Sequence, residues 1–381
     1  MPHRPRSKQN SGRAAARLLG WYDANRRALP WRARPGETPD PYRVWLSEIM
    51  LQQTTVAAVG RYYREFLERW PDVQALATAS LDEVRAAWAG LGYYSRARNL
   101  HRAAQIVARD HGGGFPADAA GLRTLPGIGP YTAGAIAAIA FDVAEAAVDA
   151  NAERVLARCF AVEEPLPKSK PELRRLAQAL VPAKRAGDFA QALMDLGALV
   201  CTPKRPACTK CPWTQDCRGR AKGIAETLPR KATKPVRPLK RGAAFVARNR
   251  DGAVLLVKRP ESGLLGGMLQ PPLGSWTANF PTRSAALAQA PFEAKWQLRP
   301  SVVRHGFTHF ELEIQVWRVE VVKRGGGLWL APDELARAAL PTVMRKIIAH
   351  AFTDSLPAKR FARGGAETRS TKPPRRQDRQ E

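Results

Sequence analysis

A chain of 381 residues is long enough for two or three domains, each burying its own core. Its 61 Lys and Arg against 34 Asp and Glu leave a formal charge of +27, a footprint of phosphate contacts whose strength should fall steeply with salt. No apolar run approaches the roughly 18 residues of a membrane span, and no apolar signal core follows Met1, so the expected protein is cytoplasmic or nucleoid-associated, makes no membrane contact and works as a monomer.

The Arg-rich, acid-poor start also has the composition of an organelle transit peptide. Arg4, Arg6, Lys8, Arg13 and Arg17 precede the first predicted helix, and the segment from Arg369 to Arg379 follows the last. Residues 1–13 and 356–381 are therefore expected to be basic, disordered tails, a pattern that also serves solubility alone. Between them, residues 14–221 read as a helical domain, 222–241 as a linker and 242–355 as a second domain.

In the helical part, periodic apolar residues predict helices over Val44–Val59, Leu81–Gly90, Asn99–Asp110, Ala133–Phe141, Ala152–Phe160, Glu172–Leu180 and Phe189–Val200. Punctuation at Thr38–Pro41 and Pro116–Leu122 marks helix starts. Glu48 sits among Trp45, Leu46, Ile49 and Met50. A carboxylate in such surroundings has its charged form destabilised, which suits a general acid.

The run LPGIGPYTAGAIAAIAFDVAEAAVD, from Leu125 to Asp149, is a glycine-rich turn between helices, then an apolar helix, then a lone aspartate. Gly127 and Gly129 are expected to take backbone angles closed to other residues and to present N–H groups to a phosphate. Two carboxylates with separate roles, here Glu48 and Asp149, are the general requirement for cleaving a glycosidic bond.

Cys201, Cys208, Cys211 and Cys217 follow the spacing C-x6-C-x2-C-x5-C, and only Cys159 stands apart, as a buried small hydrophobe. Four thiols this close in a chain without secretion signals read as a metal site rather than disulfides. Zinc and a [4Fe–4S] cluster both accept four cysteines, and the spacing leaves the choice open.

After the cysteines, Pro229, Pro235 and Pro238 oppose regular structure and mark the linker. The period then changes to alternation: strands are predicted over Ala243–Arg248, Val254–Arg259, Phe310–Val322 and Leu328–Leu330, with helices over Thr282–Ala290 and Pro341–Phe352. This is a second domain of the α+β kind.

The combination of EIMLQQT, WAGLGYYSRARNL, LPGIGPYTAGAI, VDAN and the four-cysteine loop resembles the helix-hairpin-helix DNA glycosylases, and among them the MutY-type adenine glycosylases, from about Leu18 through the second domain. The resemblance implies a mainly α helix-hairpin-helix glycosylase domain with an iron–sulfur loop, followed by an α+β Nudix-like domain. It implies removal of adenine from double-stranded DNA carrying 8-oxoguanine:A or G:A mispairs, and a [4Fe–4S] cluster on the four cysteines.

Carried over position by position, Glu48 matches the acid that protonates the extruded adenine, and Asp149 the carboxylate that stabilises the sugar cation. Tyr131 stands where related lyases of the endonuclease III type carry a Schiff-base lysine, so strand cutting is not expected. Gln53 and Tyr93 match residues inserted beside the orphaned base, Gln53 on the same predicted helix as Glu48. Arg32 and Gln191 match contacts to the flipped adenine. In the second domain, GFTHF places Phe307, Thr308 and His309, expected to be exposed, at the loop that reads 8-oxoguanine.

The Gly274–Leu298 segment holds Glu293 as its one acid, too few for a Nudix pyrophosphatase box. Ala152 and Thr55 depart from the larger residues the resemblance leads one to expect. Two further readings are a bifunctional pyrimidine glycosylase/lyase, opposed by Tyr131 and the second domain, and a non-catalytic DNA-binding protein with a structural metal.

Overall fold

The structure is a computed structural model that describes residues 8–233, 236–322 and 327–353. Among the described residues, twelve α-helices make up the first part: α1 (Lys8–Asn25), α2 (Pro41–Leu51), α3 (Val56–Arg69), α4 (Val73–Thr78), α5 (Leu81–Ala87), α6 (Ser95–Asp110), α7 (Ala119–Leu122), α8 (Pro130–Phe141), α9 (Ala150–Phe160), α10 (Lys170–Gln178), α11 (Ala186–Leu199) and α12 (Arg218–Ala221). None among the described residues is long and apolar enough to cross a membrane.

Local chemistry sets the helices that matter for function. Asp40 caps α2 by accepting the Tyr42 N–H, and Pro41 supplies a helical φ at the first position. Asp142, in the left-handed region, ends α8, and Asp149 caps α9. Among the described residues two large apolar cores result, with a smaller one of Ala138, Ala186 and Ala190 between α8 and α11. One joins α2, α3, α6 and α8 around Trp45, Phe66, Trp88 and Ile136; the other joins α1, α9, α10 and α11 around Leu18, Leu156, Leu176 and Leu193. Cys159 is buried in the second.

Several expected boundaries are corrected. The helix begins at Lys8, so Lys8, Arg13 and Arg17 lie within α1 rather than in a tail; Arg17 pairs with Asp216 of the cysteine loop. The tail beyond residue 356 lies outside the described residues. The single helix expected over Val44–Val59 is two, broken at Gln53, whose φ is +59°, and restarted by Thr55, which caps α3. Gln53 is therefore not on the helix of Glu48.

The second part is a mixed sheet: β1 (Leu239–Asn249), β2 (Val254–Lys258), β3 (Leu269–Gln270), β4 (Gln297–Gly306), β5 (Glu311–Val321) and β6 (Leu328–Leu330), in the order β3-β2-β1-β5-β4 with β6 on β2. The central pair β1 and β5 is parallel, its neighbours antiparallel. Strand β1 starts three residues inside the expected linker, while Leu166 N–H bonds Arg230 O and ties the linker's beginning to the helical part.

Along β1, Ala243, Phe245 and Ala247 face a core with Trp296 and Trp317, whereas Ala244 and Val246 face Ile314, Met344 and Ile347. Two covered faces make β1 a continuous apolar run rather than an alternating one. Helix α13 (Arg283–Leu287) lies on the first face and α15 (Thr342–Phe352) on the second, with α14 (Pro332–Arg337) between β6 and α15. Met268 and Ala339 extend into the helical core, and buried Arg85 of α5 pairs with Glu261, so the two parts meet through both apolar and charged contacts.

Candidate active site

The turn 52–55 and the starts of α8 and α9 converge on α2 to enclose a cavity of about 470 Å3, within the size range that buries a small ligand. Arg32, Glu48, Gln53, Tyr131, Asp149 and Gln191, expected to act together, all line it. Glu48 projects from the buried face of α2 and is 6% exposed. Tyr131, in the first turn of α8, donates its hydroxyl to Glu48 Oε2 at 3.0 Å.

Burial drives the Glu48 carboxyl up to about 7. The Tyr131 hydrogen bond and Arg32 pull it down, and the Asp149 charge pushes it further up. The Tyr131 phenol is itself raised by burial and by the adjoining carboxylates.

Asp149 is held by two hydrogen bonds. Its Oδ1 accepts the Ala152 N–H at 2.7 Å and Oδ2 accepts the Asn151 amide at 2.9 Å. Burial raises its pKa, and these bonds oppose the rise. The site therefore holds two carboxyls of different character: Glu48 buried against a phenol, Asp149 solvated by fixed dipoles at a helix N-terminus.

Arg32 lies in the wall, but its guanidinium is committed to Asp195, with Nη1 to Oδ2 at 2.6 Å and Nη2 to Oδ1 at 2.8 Å. Asp195 is 0% exposed; burial works against its charge, yet Arg32 and Arg27 hold the carboxyl below its usual range. Gln191, on α11, keeps one long hydrogen bond, to Gly187 O at 3.4 Å. Asp195 and Asn151 were not singled out from sequence. Asp195 carried the same signal as Glu48, a lone acid in the apolar run QALMDLGALV.

At the hairpin before α8, Gly127 has φ +83°, and a Cβ there would come within 3.0 Å of Asn99. Gly129 has φ −88° and open space, so only one of the two glycines needs its special backbone freedom. Gln52, on the cavity rim, reaches Thr132 Oγ1 at 3.1 Å and Gly127 O at 3.4 Å, joining the hairpin to the cavity mouth.

Tyr93 lies outside this cavity. It is 48% exposed at φ +48°, and its hydroxyl meets Thr308 Oγ1 of the second part at 3.1 Å. Both line an interdomain cleft with Phe307 and His309. Thr308 and His309 are exposed as expected; Phe307 is not, because it stacks on Phe310 at 4.7 Å and borders Trp276.

The thiols of Cys201, Cys208, Cys211 and Cys217 line one further cavity with Arg158. Burial raises the Cys211 thiol to about 11, and the other three cysteines add to the rise. Arg158, buried on α9, donates to Thr202 O at 2.7 Å and Pro203 O at 2.9 Å, and so ties the loop to the helical core. Among the described residues no three donors close around a single-ion point.

Comparison with known proteins agrees with this architecture. Residues 46–183 match the model of the HhH-GPD superfamily base excision DNA repair proteins, and 243–350 that of the NUDIX domain. An adenine DNA glycosylase of Homo sapiens is 38% identical over 396 aligned positions, covering 87% of this chain and 72% of the relative. One from Mycolicibacterium smegmatis is 43% identical over 215 positions, covering 56% and 72%. Among solved structures, a thermostable thymine-DNA glycosylase superposes with a TM-score of 0.51 at 32% identity, over 57% of this chain and all of that one. The extent and identity of the human match place this chain in the adenine DNA glycosylase family.

Proposed function

We propose that the protein removes adenine from 8-oxoguanine:A and G:A pairs in double-stranded DNA by extruding the nucleotide into the Glu48 cavity. What supports this reading most is that Glu48, its carboxyl pushed up to about 7 by burial, and Asp149, held by the Ala152 N–H and the Asn151 amide, line one cavity whose mouth Gln52 ties to the Gly127 hairpin. Base extrusion removes the stacking that otherwise shields the glycosidic bond.

Glu48 donates its proton to a ring nitrogen of adenine. The C1′–N9 bond then breaks with its electron pair going to the base, which leaves neutral. Asp149 faces the cation left on the sugar and lowers its energy across a short, water-poor gap. A water adds to C1′, and its proton returns to the Glu48 carboxylate. No amine stands at Tyr131, so no Schiff base forms and the strand remains uncut. Arg32, fixed by Asp195, and Gln191 shape the wall against the base, while Gln53 at the rim and Tyr93 at the cleft occupy the space around the opposite base.

The four cysteines fit a [4Fe–4S] cluster: their thiols surround one cavity, as a four-thiolate cluster requires. Held there, it would order the loop that exposes Lys204, Arg205 and Lys210 for phosphate contact. The protein acts as a monomer.

The test is a single-turnover assay on duplexes that differ in one pair, 8-oxoguanine:A, G:A or thymine glycol:A, with and without alkali. Breaks at adenine only after alkali are expected; direct cutting at thymine glycol would refute the reading. The exposed His309 reads the opposite base, so His309→Ala is expected to lower the preference for 8-oxoguanine:A over G:A by about tenfold, the worth of one polar contact. Equal loss on both pairs would remove His309 from that role.

A further inference from the structure

A second cavity, of about 760 Å3, lies behind the first, and Trp31, Val44, Ile139 and Gln191 line both. We propose that these four side chains form a thin septum through which the excised base leaves to the rear while the protein still covers the DNA. This rests on the glycosylase reading above.

The front mouth is bordered by Gln52 and Gln53, and Gln52 touches the hairpin turn. A duplex seated on the hairpin therefore lies across that mouth, and the freed base is trapped unless a second route exists. The septum is weakest at Gln191, whose amide keeps one hydrogen bond, at 3.4 Å, among the described residues. Trp31, by contrast, is held edge-on against Tyr63 at 5.6 Å.

The rear cavity suits passage rather than storage. Its inner charges are largely engaged: Arg185 binds Asp23 at 2.5 Å and Asp188 at 2.8 Å, Asp142 accepts the backbone N–H groups of Arg185 and Gly187, and Arg26 donates to Ala33 O at 2.6 Å, whereas Arg34 and Glu37 stand at the exposed rim. A neutral purine brings no charge to answer the ion pairs of the inner wall, so it gains little by staying there. The outer rim, at Arg34 and Thr38, is exposed, so the cavity opens to solvent.

The experiment follows base release and DNA release separately. The duplex carries 2-aminopurine, a purine that brightens when it is unstacked in water, opposite 8-oxoguanine. Alkali reads cleavage, fluorescence reads free base, and the anisotropy of a dye on the duplex reads protein departure. In the native protein, free base should reach solution before the protein leaves. Arg34→Trp and Thr38→Trp plug the outer rim at exposed positions remote from the carboxyls. Each is expected to leave cleavage unchanged and slow base appearance about fivefold, as a gated exit would. Free base that appears only as the native protein departs, or that appears at the native rate in both variants, overturns the proposal. Absence of alkali-revealed breaks in the native protein removes the glycosylase reading instead, and the passage with it.

Discussion

Glu48→Gln is expected to lower single-turnover adenine release by at least about a thousandfold, the range of a lost general acid, while duplex affinity stays within a few-fold. Glutamine keeps the shape and can still accept the Tyr131 hydroxyl now bonded to Glu48 Oε2 at 3.0 Å, so the cavity is retained. What disappears is the proton. Adenine would have to depart as an anion, because the other carboxyl in the cavity, Asp149, is engaged by the Ala152 N–H and the Asn151 amide, and the Lys170 ammonium is paired with Glu153. Release at the native rate would return Glu48 to a structural role and favour the non-catalytic reading.

The same substitution is expected to stabilise the fold at alkaline pH. The Glu48 carboxyl rises from 4.5 to about 7 on folding, so between those values the folded chain holds more proton than the unfolded one, and stability falls as pH rises through the window. Above it the folded protein carries the whole cost of a buried charge, up to about 3 kcal/mol. Urea midpoints should then show Glu48→Gln more stable than the native protein at pH 8.5 and little different at pH 4.5. A site that sacrifices stability for a usable proton behaves in this way.

Asp149→Asn is the second large effect, a loss of about a hundredfold to a thousandfold in base release. Asparagine caps helices as well as aspartate does, so α9 keeps its start and the Ala152 N–H keeps its acceptor. The amide cannot supply the negative charge that faces the sugar cation. Chemical denaturation within about 1 kcal/mol of native, together with lost turnover, separates the electrostatic role from the cap. Turnover retained in Asp149→Asn would mean that the cation is stabilised elsewhere.

Much of the site was legible because its residues violate local rules. Glu48 in an apolar helix, the proline-flanked Gly127 turn and four cysteines within 17 residues stand out against any pattern of simple packing. Asp195 did so as well, but its meaning depends on Arg32, 163 positions away, and no local pattern joins the two. The break at Gln53 was hidden because LQQTT lacks glycine or proline, and its two threonines do not by themselves show that Thr55 caps a new helix.

Strand β4 escaped for a different reason. It is an edge strand, mostly exposed, with Pro300 inside it, a register shift between Leu298 and Val302, and Ser301 at φ +64°. Edges tolerate proline and bulges that central strands exclude, so the alternating pattern is lost where the sheet needs it least. Strand β1, buried on both faces, was readable as AAFVA. The meeting of Tyr93 with Thr308 is a tertiary fact between loops 215 positions apart, which no periodicity encodes.

The pH dependence of adenine release, measured with the duplex well below saturation so that kcat/KM reflects the free protein, tests the Glu48 acid most directly. The native rate should fall as pH rises through about 7, as Glu48 loses its proton. In Tyr131→Phe that limb should move to higher pH, because the hydrogen bond that lowers the Glu48 value is gone. A native rate that stays level from about pH 6 to about pH 9, across the range in which Glu48 should lose its proton, would contradict the assignment of Glu48 as the proton donor.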